Sequence, residues 1–272
     1  MESKISWEVI ERPLFSNFQP VKGYKALFRS DNDQLLHIAK STYTPTTNDR
    51  FLETVDKLSN ITGFPIERFD EVQGGKKVMA FLKCTDPISV GGYAFKDYLM
   101  VGNSHDGSTG FFVGNSNIMI RCANRFTKQF RNLQVYHTKN HDIKIDELSN
   151  SFDDFNKQRE KFYDRFSEYV DFEIVEEHKD KLVNLIAEVS IEEQKDHSLI
   201  STRKRNIISN IHESIQIETS ALGNNIFGLF NGITHYTSHT KKVKEPVFCN
   251  AFGTVADINN KAFTFCESLV NH

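Results

Sequence analysis

The chain has 272 residues, 39% hydrophobic and 25% charged, with a formal net charge of −3. This is ordinary globular composition, long enough for one large domain or two small ones. No apolar leader core follows the N-terminus and no run of about 18 apolar residues occurs. Cys84, Cys122, Cys249 and Cys266 form no C-x-x-C pair, so zinc-ribbon and thioredoxin-like motifs are excluded. The expectation is a soluble, intracellular, disulfide-free protein with no membrane partner and no cofactor.

Residues 24–30 and 34–43 flank the turn-like Asp31-Asn32-Asp33 and predict a β-hairpin. Phe51, Val55 and Leu58 then recur at helical spacing over Thr47–Leu58, with Thr47 or Asn48 able to cap the first turn. Strand-like runs follow at 64–72, at 77–84 after Gly74-Gly75, and at 93–102. They end at His105-Asp106-Gly107-Ser108, where Asp-Gly favours a tight turn. Two further short strands are predicted at 109–113 and 117–121, and a short helix at 121–131. Beyond Asp142, Leu148, Phe152, Phe155, Phe162, Phe166 and Tyr169 recur every three or four residues, which predicts an amphipathic helix broken once. Residues 174–189, 191–218 and 224–240 also read as helical. The fold class expected is α+β: an antiparallel β-rich region with helices over residues 1–140, and a mainly helical, acidic region over 141–272, the two being separable or one compact domain.

Charge follows that division. Residues 1–140 hold 18 Lys and Arg against 14 Asp and Glu, a balance of +4 that leaves −7 for the remainder. From Gly107 to His141 there is no acidic residue, while Arg121, Arg125, Lys128, Arg131 and Lys139 are fixed cations and His137 and His141 lie beside them. Such a segment fits a surface that meets phosphates, or a basic face paired with acidic helices. On an ideal helix Arg121, Arg125 and Lys128 share an arc of about 60°, with Phe126 and Phe130 on another face. The His105-Asp106 pair suits acid–base or metal chemistry, but no nucleophile or third carboxylate stands near it in sequence, so the tetrapeptide reads first as a structural turn. His137/His141 and His235/His239 have the i, i+4 spacing that lets two imidazoles share a metal. Neither has the Glu that a zinc-peptidase helix needs, and hydrogen-bonding roles are expected. The glycine motifs of P-loops, dinucleotide-binding folds and nucleophile elbows are all absent. Arg203-Lys204-Arg205 and Lys241-Lys242-Val243-Lys244 are two further basic clusters.

Several residues together resemble a known group. They are Gly23, Tyr24, Ala26, Leu27 and Arg29; Asn48 with Phe51; Gly74-Gly75; Asp97-Tyr98-Leu99; the N-S-H-D-G-S run of 103–108; Ile120-Arg121-Cys122-Ala123-Asn124; His137-Thr138; and Asn231, Thr234 and His239. The chain thereby resembles the phage- and plasmid-borne family catalogued as domain of unknown function 932, over roughly residues 20–240. It departs from that pattern at Arg125-Phe126, where the family often shows Thr-Leu. The resemblance brings no catalytic residues. It implies a mobile-element setting in the cytoplasm of a bacterial host, with DNA replication, recombination or defence evasion as the work in hand.

The leading expectation is a non-catalytic nucleic-acid-binding protein that acts on single-stranded DNA, such as an annealing or recombination factor. Arg121, Arg125, Lys128, Arg131 and Lys139 would neutralise phosphates, and Phe111, Phe112 and Tyr136 would stack bases. Complementary basic and acidic halves would favour a homo-oligomer larger than a dimer. One alternative is a metal-dependent phosphodiesterase or nuclease centred on His105 and Asp106, with His137 or His239 brought close by folding. Another is an interaction protein that blocks a host defence component. Convergence of His105, Asp106, Asn124, His137 and His239 would favour chemistry.

Overall fold

The computed structural model describes residues 5–84, 88–137, 141–149 and 152–271; the side chains of residues 129–133, 141, 148, 149, 152, 247 and 248 fall outside that description. The chain opens with an antiparallel meander of β1 (Val9–Ser16), β2 (Gln19–Arg29) and β3 (Leu35–Lys40). The β1–β2 turn places Asn17 and Phe18 at φ 48° and 61°, the positive pair that a two-residue hairpin needs. Helix α1 (Asn48–Thr62) starts where Thr47 Oγ1 accepts from the Arg50 amide at 3.1 Å and stops at Gly63 in the left-handed region.

A six-stranded antiparallel sheet follows. Its strands are β4 (Ile66–Val72), β5 (Lys77–Lys83), β6 (Ile88–Val90), β7 (Tyr93–Ser104), β8 (Phe111–Met119) and β9 (Arg125–Val135), in the order β4-β5-β7-β8-β9 with β6 on β7. Helices complete the chain: α2 (His141–Ser149), α3 (Phe152–Asp171), α4 (Glu176–Ala187), α5 (Ile191–Lys195), α6 (Thr202–Leu222), α7 (Ile226–His235), α8 (Pro246–Ala251) and α9 (Thr254–Val270). A π turn, Tyr236–Thr240, extends α7. The α+β class is as expected. Among the described residues no helix is long and apolar enough to cross a membrane.

Two expected elements differ. The two short strands expected at 109–113 and 117–121 are replaced by one continuous strand, β8, from Phe111 to Met119. The segment 121–131 is a tight turn followed by β9, with no helix. In the turn, Met119 N donates to Asn124 O at 3.0 Å, Ala123 N donates to Met119 O at 2.8 Å, and Ala123 has φ 56°. Phe126 and Phe130 are four apart, a spacing that places side chains on one face of a helix and equally on one face of a strand. With period 2, Arg125 and Lys128 fall on opposite faces, so the shared arc does not exist. The predicted helix over 191–218 is divided by Asp196 and by Ser201, whose side chain caps α6.

The chain forms two compact units. The first comprises Met1–Asp86, Asp97–Ser116 and Gln129–Gln158; the second comprises Pro87–Lys96, Asn117–Lys128 and Arg159–His272. Strands β7, β8 and β9 each contribute residues to both. The compositional boundary near residue 140 lies inside the first unit's last segment. Each unit has its own core. The first is built around Trp7, Leu27, Phe51, Val78, Leu99, Phe111 and Phe155. The second is an aromatic core of Phe95, Phe126, Phe162, Phe166, Phe227 and Phe230. The Phe126 ring stacks on Phe162 and Phe263 at centroid distances of 5.6 Å.

Gly75 has φ 89°, and a Cβ there would lie 2.5 Å from the Trp7 ring and 2.8 Å from Arg29 Nη1. Gly23, at φ 81°, has nothing within 4 Å. Gly75→Ala should lower unfolding free energy by about 2–4 kcal/mol, through backbone strain plus overpacking. Gly23→Ala should cost only about 1 kcal/mol. Urea titration of both variants checks the difference.

Candidate functional site

The motif residues fall into two clusters, one in each unit. In the first unit, β7 delivers Asn103, Ser104 and His105 to the N-terminus of α1. His105 is fully buried, with Nε2 2.9 Å from Asn48 Oδ1. Asn48 Nδ2 donates to the Trp7 carbonyl at 2.6 Å, so Oδ1 is the acceptor and His105 Nε2 carries the proton. His105 Nδ1 is left buried without a hydrogen-bond partner. The Trp7 ring meets the imidazole edge-on at 5.4 Å, with the Arg29 guanidinium 4.2 Å from the Trp7 centroid. His137 joins through Thr46, whose amide donates to Nδ1 at 3.3 Å. Asn103 Nδ2 donates to the Thr46 carbonyl at 3.3 Å.

Asp106 points the other way, to Lys77 Nζ at 2.7 Å. Burial raises its carboxyl, but hydrogen bonds from Lys77 and Ser108 outweigh burial and hold it below the usual carboxylate range. Gly107 at φ 71° completes the turn. Burial, with His137 adding to it, pushes the His105 imidazole down to about 3; Asp106 opposes this and Arg29 reinforces it. His105 is thus a neutral core group, and Asp106 holds a lysine and a turn.

The second cluster is built on the β8–β9 turn. Asn124 Nδ2 donates to Glu218 Oε1 on α6 at 3.1 Å and to the Asn231 carbonyl on α7 at 3.4 Å. His239 Nε2 lies 2.9 Å from the Cys122 carbonyl and 3.1 Å from Asn124 Oδ1. Both partners are acceptors, so Nε2 carries a proton and donates. The His235 ring stands 4.9 Å from His239, and its Nδ1 is buried without a partner. Burial lowers the His235 pKa, with Glu218 opposing and His239 reinforcing. A cleft of about 350 Å³ opens here between Arg121 and Cys122 on the turn, Ile217, Glu218 and Ala221 on α6, and the two histidines.

The expected binding residues are dispersed. Arg121, on the turn, donates to the Ala221 carbonyl at 3.3 Å and lies 5.7 Å from the Tyr93 centroid. Arg125 and Lys128 belong to β9, the latter with Nζ 4.5 Å from the Phe263 centroid. Phe111 and Phe112 are fully buried. They alternate along a strand whose two faces are both covered, so neither ring is a stacking platform. Tyr136 is exposed. Lys139 lies outside the described residues, as do the side chains of Arg131, Phe130 and His141. Asn124 and His239 converge, and so do His105 and His137, but the two pairs belong to different units. Among the described residues no three His, Cys, Asp or Glu side chains form a group that could hold a metal ion.

Trp7, Thr46 and Glu218 lie in the two clusters but in none of the motifs that the sequence shows. Glu218 had a readable signal: it shares the buried stripe of α6 with Ile211, Ser214, Ile215, Thr219 and Leu222, where a carboxylate is out of place. Trp7 and Thr46 carry no comparable local signal.

The family model described as domain of unknown function 932 matches residues 35–256, and the chain belongs to that family. No curated protein and no solved structure matches it.

Neutral His105 has a consequence for pH. Below about pH 6.5 the unfolded chain binds a proton at this position, whereas the folded chain resists it until about pH 3. Its stabilising contribution is therefore complete above the unfolded value. It is lost as pH falls from 6.5 toward 3, at up to about 1.4 kcal/mol per pH unit. Urea unfolding across this range should be steeper in pH for the wild type than for His105→Gln by about one proton; equal slopes would refute the assignment.

Proposed function

We propose that this protein binds nucleic acid through the phosphate backbone, with single-stranded DNA as the favoured substrate, in DNA annealing or recombination within a mobile-element setting in the bacterial cytoplasm. The observation that carries the reading is a group of uncompensated cations in the second unit. The Arg125 amide donates to Ser238 Oγ at 3.1 Å, and His239 binds the Cys122 carbonyl. The turn bearing Arg121 and the start of β9 at Arg125 are thereby joined to the segment that continues into Lys241, Lys242 and Lys244. Among the described residues none of these five cations forms an ion pair. Elsewhere in the chain Arg12, Arg29, Arg50, Arg68 and Arg165 each hold a carboxylate. Fixed positive charge left without a carboxylate partner is the electrostatic footprint of an anionic ligand. The cations sit on turns and a strand, which suits backbone tracking better than insertion of a helix into a groove.

The nuclease alternative draws less support, because His105 is inaccessible and Asp106 is committed to Lys77 and Ser108. Self-association into an assembly larger than a dimer remains part of the proposal, and light scattering at low and high salt tests it.

Fluorescence anisotropy with an oligothymidylate should show affinity falling with salt at a logarithmic slope of about −3.5 if all five cations meet phosphates (~0.7 per contact). Arg121→Gln with Arg125→Gln should flatten that slope by about 1.4, and so should Lys241→Gln with Lys242→Gln. Absence of wild-type binding at low salt would sink the proposal.

A further inference from the structure

We propose that the cleft beside Asn124 is a pocket for a guanine nucleotide. Glu218 carries the argument. It is 3% exposed, sits on an otherwise apolar or small-residue stripe, and forms a wall of the cleft. Its carboxylate receives one hydrogen bond, from Asn124, and among the described residues no cation pairs with it. A carboxyl group has room for more than one hydrogen-bond donor, and Glu218 faces the cleft, so further donors can come from whatever fills it. Its position is set in advance. His239 donates to Asn124 Oδ1, which turns the Asn124 amino group onto Glu218.

The rest of the cleft defines the ligand. Arg121 stands on the wall, and its fixed charge disfavours a simple cation. A simple anion would meet Glu218. A molecule with a donor edge at one end and a phosphate at the other satisfies both. Among nucleobases guanine presents two adjacent donors, N1–H and the N2 amino group, a fork that matches a carboxylate as a guanidinium does. Thymine would set two carbonyls against Glu218. Adenine and cytosine would each place a ring lone pair beside the amino group. Ile217 and Ala221 supply apolar contact for the ring. The volume, about 350 Å³, lies at the small-ligand end of the range for binding sites, about 300–1,000 Å³. The nucleotide can be free or a base within a strand; in the second case the inference rests on the nucleic-acid reading above.

Calorimetry with dGMP, dAMP, dCMP and dTMP on the full chain tests the pocket. Anisotropy with an oligothymidylate, and with the same oligomer carrying one central dG, tests the strand-borne base. dGMP should bind about tenfold or more tighter than the other three. Glu218→Gln should abolish that preference while keeping the Asn124 bond through its amide oxygen. Arg121→Gln, at an exposed position, should keep the preference but erase the advantage of dGMP over deoxyguanosine. Preference for the dG-bearing oligomer would assign the pocket to strands; preference for dGMP alone would assign it to free nucleotides. Equal binding of all four mononucleotides, no binding of any, or guanine preference retained in a folded Glu218→Gln variant would overturn the pocket. Normal oligothymidylate binding without guanine preference would remove the pocket and leave the nucleic-acid reading intact. dGMP binding without oligothymidylate binding would do the reverse.

Discussion

The Asn124 side chain donates to Glu218 and to the Asn231 carbonyl, and it accepts from His239. Through that one buried amide the β8–β9 turn, α6, α7 and the π turn are tied at a single point. An amide can do this because it offers donors on one side and an acceptor on the other. An Asp at this position would set two carboxylates together, and a Leu would strand Glu218 in the interior. The placement of Arg121, the floor of the cleft and the direction of the segment leading to Lys241 all follow from this junction.

The first unit uses the same economy at its own buried polar centre. Asn48 caps nothing, although it begins a helix; Thr47 does the capping. This frees Asn48 to bind the Trp7 carbonyl and His105 together. Arg29 lies on the Trp7 ring and holds Asp31 and Glu71. Polar groups buried in this way specify one arrangement of the N-terminal segment, α1 and β7, because any other leaves them without partners.

Much of this was legible in the sequence. Thr47 announced a helix start by its chemistry, and Asp31-Asn32-Asp33 announced a hairpin. The β8–β9 turn was hidden because Ala123 takes the left-handed conformation that Gly or Asn usually signals. Once that turn was missed, the four-residue spacing of Phe126 and Phe130 gave no means of choosing strand over helix. Phe111 and Phe112 differ from the expectation for a related reason: adjacent residues of a strand point to opposite faces, so one open face exposes a single ring, and here both faces are covered. The motif residues were found, but their sorting into two clusters was not, since partners such as Asn124 and Glu218 are 94 residues apart.

The interleaving of the two units bears on how the protein is made. All segments of the first unit have left the ribosome once residue 158 emerges, so its core can close early. Val90, Phe95, Met119 and Phe126 are synthesised by then as well, yet the residues that cover them, from Phe162 to Cys266, come later. Until those arrive, the nascent chain carries a set of apolar strand residues with nothing to pack against. That interval is when sticky surface and unpaired edges invite misassociation. The interval most open to misassociation therefore runs from the synthesis of residue 158 to that of the end of α9.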